Sequence, residues 1–323
     1  MTNHEIGGFF ELELPKVKCH YHHGLKLNTA RSALYLILQE CKPSKIYVPY
    51  YMCHVVLDVF KSLNVEYDFY NINKDLGIVE RPVLKESEYL LYVNYFGVKD
   101  DYVTQLAGHF GAHLIVDNSQ AFFSKMTENV KYYFYSARKF FGVADGAYLY
   151  GVEEDVLSGT GTDVSGSRME HLLGRFEDRA VHYYSAYKKN DESLSHVGVR
   201  KMSKLTGHLL SLIDYETAMN ARAANFEYLA SRLNHLNGLS LFDAQISAPM
   251  SYPLLLAAPG LSEYLISNQV YVAKYWPELN DIVYEDEMVL VNCLIPLPID
   301  HRYDITDMKR IVSLIFKFLE SKQ

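Results

Sequence analysis

Short apolar runs and segments with helical spacing alternate along the first 150 residues of the chain. Residues 33–41 place apolar side chains on one helical face, with Asn28 and Thr29 before them as candidate N-caps, and 55–63 repeat the helical pattern. Runs typical of buried strands occupy 45–49, 65–72, 89–97, 113–120, 131–139 and 146–151. Strands separated by single helices predict an α/β fold with a mainly parallel, helix-covered sheet, in which working residues collect beyond the carboxyl ends of the strands.

The pattern changes after the last of these strands. Residues 154–200 show no clear period and predict an irregular excursion that includes helix. Leucines and other apolar residues from 205 to 233 recur at helical spacing and predict one long amphipathic helix or a pair of helices. We therefore predict a large domain over residues 1–240 that ends in this helical stretch.

The remaining residues, 241–323, predict a smaller α+β domain. The segments SYPLLLAA (251–258) and VYVAKYWP (270–277) are predicted strands, and 305–322 is the closing helix. Two domains of this kind leave a cleft between them, where a ligand site is expected.

Composition narrows the class of protein. The net charge of −8 and the lack of a basic run argue against binding to duplex nucleic acid. Charges interrupt each apolar run before the ~20 residues needed to span a bilayer, and the first residues lack a secretory pattern. Four scattered cysteines favour reduced thiols. We expect a cytoplasmic protein without a membrane segment.

Polar residues that could take part in catalysis or ligand binding follow two of the predicted strands. Asp117 follows the apolar run at 114–116, and Gln120 comes three residues later. Ser136 and Lys139 follow the next strand, ahead of the glycine-containing segment FFGVADGAYLY. This lysine therefore lies between two strands, with a carboxylate on the strand that precedes it.

A pyridoxal cofactor would suit this arrangement. It needs a carboxylate to keep its ring nitrogen protonated and a lysine imine that a substrate amine can displace. Asp117 and Lys139 can supply both. A helix N-terminus is a ready anion pocket for a phosphate, and the helix that begins at Thr29-Ala30 can provide it, with the Ser136 hydroxyl on the far side.

The sequence also resembles a known family over nearly its whole length. The matching segments include LNTARSALYLIL, KIYVPYYMCHVVLDVFKSLNVEYDFYNI, LIVDNSQAFFS and FYSARKFFGVADGAYLY, and the D-x-x-Q followed by S-x-R-K is the most specific part. In these features the chain resembles the DegT/StrS sugar aminotransferases, which are fold-type I enzymes dependent on pyridoxal 5'-phosphate (PLP). The resemblance implies a large domain with a mainly parallel sheet and a small α+β domain at the C-terminus.

The resemblance also implies roles for individual residues. Lys139 would be the Schiff-base lysine, Asp117 the partner of the pyridinium nitrogen, and Gln120 a neighbour of the ring hydroxyl. The cofactor phosphate would lie among Thr29, Ala30 and Ser136. Tyr51 and Cys53 align with the residue that covers the cofactor face, and Tyr51 is the favoured candidate. Gly198-Val199-Arg200-Lys201 stands where relatives carry an Asn-x-Arg segment that reaches the neighbouring subunit.

The activity that the resemblance implies is transamination. An amino acid, with glutamate as the expected donor, would give its amino group to a keto sugar, expected to be nucleotide-linked, in cell-surface polysaccharide or amino-sugar biosynthesis. The resemblance further implies a homodimer with shared active sites. Two alternatives stay open, a sugar dehydratase, whose branch carries histidine in place of Lys139, and a non-catalytic binding or regulatory protein.

The histidines near the N-terminus do not change this picture. His20, His22 and His23 lack the i, i+4 spacing of a helical metal site and an obvious further ligand. No metal is therefore predicted.

Overall fold

The computed structural model describes residues 8–15, 20–195, 197–240, 246, 248–279 and 284–322. A seven-stranded sheet forms the centre of this part of the chain. Its strands are β1 (Leu25–Leu27), β2 (Lys45–Pro49), β3 (Glu66–Tyr70), β4 (Glu88–Val93), β5 (Leu114–Asn118), β6 (Tyr132–Ser136) and β7 (Ala147–Tyr150). They lie side by side in the order β1-β7-β6-β5-β4-β2-β3.

The predicted parallel sheet is confirmed. The five strands from β3 to β6 across the sheet run parallel to their neighbours, and β7 runs antiparallel to both β6 and β1. Every residue of β5 and β6 is buried. Continuous burial is the pattern expected where both faces of a strand are covered, and it explains why each segment is apolar or aromatic up to the polar residues at its carboxyl end.

Ten α-helices occur in the described ranges. They are α1 (Ala30–Cys41), α2 (Leu57–Leu63), α3 (Asp100–Phe110), α4 (Glu170–Glu177), α5 (Tyr184–Ser193), α6 (Lys204–Ser211), α7 (Tyr215–Leu233), α8 (Leu261–Ser267), α9 (Glu285–Cys293) and α10 (Ile305–Glu320). The Asp304 side chain caps α10, which confirms the predicted closing helix. None of the helices in these ranges is both long and apolar enough to cross a membrane.

The stretch that predicted one helix or two contains two. Helix α6 ends at Ser211, and α7 begins after Asp214, whose Oδ1 accepts a hydrogen bond from the Thr217 N–H at 3.0 Å. A carboxylate at this position satisfies an N–H group that lacks a helical partner. The boundary between the two predicted domains stays a prediction, because residues 241–245 lie outside the described residues.

The C-terminal part forms a second, two-stranded sheet. Strand β8 (Ser251–Leu255) confirms one predicted strand and pairs antiparallel with β9 (Leu294–Pro298). The predicted strand at 270–277 is wrong, because the described backbone there is irregular. Trp276 has a left-handed φ of +49°, and its ring packs edge-on against Tyr51. Burial of aromatic rings therefore replaces strand pairing in this segment.

Candidate active site

The carboxyl ends of β4, β5 and β6 meet at one edge of the large sheet, because these strands are parallel. Asp117 near the end of β5 lies beside Phe134 of β6. Ser136 at the end of β6 pairs with Ala147, which in turn pairs with Leu27 at the end of β1. Since α1 begins a few residues after Leu27, this register brings Asp117, Ser136 and the first turn of α1 to the same edge.

The Asp117 carboxyl group is buried at this edge, with 9% of the residue exposed. Its Oδ1 accepts a hydrogen bond from the Ser119 N–H at 2.7 Å. Burial raises the pKa of Asp117, while the charge of Lys139 and the bonds from Ser119 lower it in part. Among the influences that lower this pKa, the positive charge of Lys139 is the largest.

Lys139 belongs to a tight turn that follows β6. The N–H groups of Phe140 and Phe141 both donate to the Ala137 carbonyl oxygen, at 3.0 and 2.9 Å, and the Ala137 N–H donates to the Gly146 carbonyl oxygen at 3.0 Å. Phe140 and Phe141 are buried, whereas Lys139 is exposed. The aromatic rings anchor the turn and leave the amine accessible to a solute.

Gln120 is buried next to the end of β4. Its Oε1 accepts a hydrogen bond from the Phe96 N–H at 2.9 Å, and Phe96 has a left-handed φ of +56°. This conformation is costly for a bulky residue and is typical of functional sites. The Gln120 Nε2 is buried and has no hydrogen-bond partner among the described residues. A bound oxygen acceptor would satisfy this donor.

The first turn of α1 is braced by polar contacts. Thr29 Oγ1 accepts a hydrogen bond from the Ser32 N–H at 3.1 Å. The Asn28 carbonyl oxygen accepts from the Gly146 N–H at 2.7 Å. Ser136 is buried two strands away, roughly 10 Å from β1 at the usual strand spacing. A braced helix N-terminus with free N–H groups suits an anion such as a phosphate.

These groups fit a pyridoxal phosphate. The buried carboxylate of Asp117 matches a protonated ring nitrogen, the unpartnered amide N–H₂ of Gln120 matches a ring oxygen, and the start of α1 matches a phosphate. Lys139 supplies an amine at the same edge. Each polar part of the cofactor thus has a protein group of complementary charge or hydrogen-bonding capacity at this edge.

The two candidates for covering the cofactor face lie in different settings. The Tyr51 side chain is completely buried, and its ring contacts Trp276 with 4.5 Å between ring centroids. Cys53 is half-buried; burial raises the pKa of its thiol, and the charge of Lys139 partly offsets this effect. Cys53 is therefore within electrostatic reach of the lysine, while the covering role of Tyr51 stays a prediction.

The segment 198–201 packs beside the start of α1 in its own chain. The Asn28 N–H donates to the Arg200 carbonyl oxygen at 3.0 Å, and the Asn28 Nδ2 donates to the Gly198 carbonyl oxygen at 3.0 Å. The backbone of Lys201 forms an isolated antiparallel β-bridge with that of Leu27. The backbone of this segment thus contributes to the bracing of α1, and the Arg200 side chain is exposed.

One of the three N-terminal histidines, His22, has hydrogen-bond partners that indicate a structural role. His22 is buried, and its ring nitrogens pair with the Phe122 carbonyl oxygen at 2.8 Å and the Tyr150 hydroxyl at 3.1 Å. Burial lowers the pKa of His22 to about 4, so the ring is neutral at physiological pH. Across the described residues, no group of three or more His, Cys, Asp or Glu side chains is arranged to hold a metal ion.

Two residues near this edge were not identified from the sequence. Phe96 carries no sequence signal for its left-handed backbone apart from the glycine that follows it. Arg222 lies on the buried face of α7 with Ala218 and Phe226, and a charged residue within an apolar helical stripe is a signal that could have been noticed.

Comparison with known proteins shows a clear similarity in fold. No protein-family model matches the chain, and no curated protein matches its sequence. A DegT/DnrJ/EryC1/StrS aminotransferase from Brucella abortus is 15% identical, with a TM-score of 0.63 over 92% of this chain and 86% of that chain. PseC from Helicobacter pylori, an aminotransferase involved in the biosynthesis of pseudoaminic acid, is 13% identical, with a TM-score of 0.63 over 93% of this chain and 87% of that chain.

A third similar structure is Spr1654 from Streptococcus pneumoniae, described as a sugar aminotransferase and solved in a PLP form. It is 12% identical, with a TM-score of 0.62 over 92% of this chain and 87% of that chain. At these identities the similarity shows the fold. The chain therefore has the architecture of the DegT/StrS-type sugar aminotransferases, which confirms the fold that the sequence motifs predicted.

Proposed function

We propose that this protein is a PLP-dependent aminotransferase that moves an amino group from an amino acid to a keto sugar. The observation that carries the proposal is the buried Asp117 carboxylate at the sheet edge where α1 begins, on the strand beside β6 and the turn that contains Lys139. The printed descriptions of the structural neighbours, sugar aminotransferases with one in a PLP form, support it. The finer proposal is glutamate as donor and a nucleotide-linked keto sugar as acceptor, in polysaccharide or amino-sugar biosynthesis.

In this proposal, each polar group at the edge has a role. Lys139 holds the cofactor covalently, Asp117 accepts the hydrogen bond of the ring nitrogen, and the free Nε2 of Gln120 donates to the ring hydroxyl. The phosphate is held by Thr29, Ala30 and Ser136, and Tyr51 covers the ring. When bound, PLP supplies an electron sink for the negative charge that develops on the substrate carbon.

Lys139 also carries the proton transfer. When it is not bound to the cofactor, its Nζ would act as the base that takes the proton from the α-carbon of the donor and as the acid that later returns it. The buried rings of Phe140 and Phe141 hold the turn, so the amine stays near the same atoms in both half-reactions. Two separate half-reactions predict ping-pong kinetics.

A homodimer in the cytoplasm is part of the proposal. Apolar side chains that are more than half exposed lie close together in sequence, from α4 to the start of α5: Leu173, Phe176, Val181 and Tyr184. Exposed apolar clusters are typical of protein interfaces. Sedimentation at micromolar concentration should show a dimer, and a monodisperse monomer would contradict this part of the proposal.

The proposed activity can be tested with a single turnover. We expect glutamate to bleach the visible absorption of the PLP-loaded protein, and a keto sugar nucleotide to restore it. Lys139→Ala should remove the response, and Lys125→Ala, which changes an exposed lysine, should keep it. A loaded protein whose spectrum does not respond to glutamate or other amino acids would support the binding or regulatory alternative instead.

A further inference from the structure

A buried arginine lies behind the turn that contains Lys139. Arg222 on α7 is 1% exposed, and burial lowers the pKa of its guanidinium to about 10. The Asp300 carboxylate favours its charged form, but this carboxylate is hydrogen-bonded to Arg302 at 2.6 Å. The three hydrogen bonds of the Arg222 guanidinium go instead to backbone carbonyl oxygens. Burial of a charged guanidinium is unfavourable, and hydrogen bonds to carbonyl oxygens offset part of this cost. The Arg222 Nε is also buried without a hydrogen-bond partner among the described residues.

One side of the guanidinium holds the lysine turn. Arg222 Nη2 donates to the carbonyl oxygen of Phe140, the residue after Lys139, at 3.3 Å. The guanidinium also lies over the Phe140 ring, 4.6 Å from its centroid. Hydrogen bonding and the cation–π contact therefore restrain both the backbone and the ring of the same residue.

The other side of the guanidinium holds the segment that enters β8. Arg222 Nη1 donates to the carbonyl oxygens of Pro249 and Met250 at 3.0 and 3.2 Å. The Met250 N–H donates to the Phe96 carbonyl oxygen at 2.8 Å, and the Phe96 N–H donates to Gln120 Oε1 at 2.9 Å. A continuous series of contacts thus joins the turn after β6 to the amide of Gln120.

We propose that Arg222 is a positioning residue, which fixes the Lys139 turn relative to Gln120 so that the amine and the amide face the same ligand. The planar fork of the guanidinium explains why an arginine stands here, because it donates from two separate nitrogens to two segments, whereas an ammonium donates from a single nitrogen. The inference rests on the proposed function for its cofactor measurement, and hydrogen exchange of the cofactor-free protein tests the positioning independently.

The test compares Arg222→Met with Arg232→Met in the full-length protein. Both changes remove an arginine from α7, but Arg232 is exposed and contacts the Tyr228 ring. For Arg222→Met we expect amide exchange in the peptide 137–142 to accelerate by about tenfold or more, with little change in β5. We also expect the equilibrium constant for covalent attachment of PLP to fall by about 10–100-fold. Arg232→Met should match the unmodified protein in both measurements.

The outcomes separate the two proposals. Unchanged exchange at 137–142 in Arg222→Met would overturn the positioning role, whatever the cofactor does. Failure of the unmodified protein to attach PLP would overturn the proposed function, and the exchange data would still decide on Arg222. If Arg222→Met does not fold, Arg222→Lys decides instead, since lysine keeps the positive charge but lacks the second nitrogen of the planar fork. Faster exchange confined to the turn supports the proposal, and exchange like that of the unmodified protein overturns it.

Discussion

The carboxyl edge of the large sheet and the aromatic segment that packs onto it reach their positions by different means. At the edge, strand register places Asp117 beside Phe134 and fixes the polar groups through backbone hydrogen bonds. In the segment 270–276 the backbone is irregular, and contacts of Tyr275 with Phe96 and of Trp276 with Tyr51 determine its course. A polar side chain at the edge should therefore be replaceable without loss of the fold. In the aromatic segment, removal of one ring should also displace the rings that pack against it.

The largest expected effect is a loss of turnover when Asp117 at the carboxyl edge of the large sheet is replaced. Asp117→Asn should lower turnover by about 10²–10³-fold, because it removes the charge proposed to face the ring nitrogen. The cofactor-free variant should nevertheless be more stable at neutral pH. Burial raises the pKa of Asp117, so the folded state disfavours the charged carboxylate, and the gain should shrink as the pH falls towards the ordinary pKa of an aspartate. Urea unfolding at pH 4 and pH 7.5 measures this difference.

Asp155→Asn is the matched control for this change. It makes the same chemical substitution at an exposed aspartate that follows the last strand of the sheet, so it should retain both turnover and stability. An Asp117→Asn protein that is as active as the unmodified one would contradict the proposal that the Asp117 carboxylate faces the ring nitrogen of the cofactor.

The second-largest expected effect is the pH dependence of stability that is due to Glu287 on α9. The buried Glu287 accepts a hydrogen bond from the Ile72 N–H at 2.9 Å, and burial raises its pKa to about 7. The folded protein therefore binds this proton more tightly than the unfolded chain, and stability falls as the pH rises from the ordinary glutamate pKa through 7. Glu287→Gln should be more stable than the unmodified protein at pH 8, by on the order of 2 kcal/mol, and equally stable near pH 4.5.

Glu285→Gln is a matched control, because Glu285 lies on the same helix and is exposed. Its unfolding free energy should follow that of the unmodified protein at both pH values. A pH profile of Glu287→Gln that parallels the unmodified protein would show that Glu287 is not the titrating group.

The smallest expected effect distinguishes the two covering candidates. If the Tyr51 ring contacts the cofactor, Tyr51→Leu should weaken PLP binding by about tenfold, the value of one aromatic contact, while Cys53→Ala changes it little. Fluorescence titration with PLP measures both affinities. The reverse order would assign the cofactor face to Cys53, whose thiol pKa is raised by burial and lowered in part by the charge of Lys139.

The sequence predicted the positions of site residues well where polar residues come directly after an apolar strand segment. Apolar runs identified β5 and β6, and because parallel strands end at one edge, the sequence alone predicted that Asp117 and Ser136 lie at the same edge. The Thr29 cap was predictable for a similar reason, since its hydroxyl satisfies an N–H in the first turn of α1. These inferences need only local patterns and the geometry of a sheet.

Long-range packing was beyond such patterns. The alternation of Val270 and Val272 predicted a strand, but the rings of Tyr275 and Trp276 are held by partners far away in the sequence. Strand β9, which pairs with β8, was also not predicted, because its two prolines weaken the strand signal. Arg222 connects segments separated by more than 80 residues, and its bond to Phe140 could not be inferred from α7 alone.

The most direct test of the account is the site of cofactor attachment. Purified protein is incubated with PLP, reduced with borohydride and digested, and the peptides are analysed by mass spectrometry. We predict a yellow protein with one reduced adduct, on Lys139. A colourless protein without an adduct, or an adduct only on other lysines, would contradict the proposal that Lys139 holds PLP.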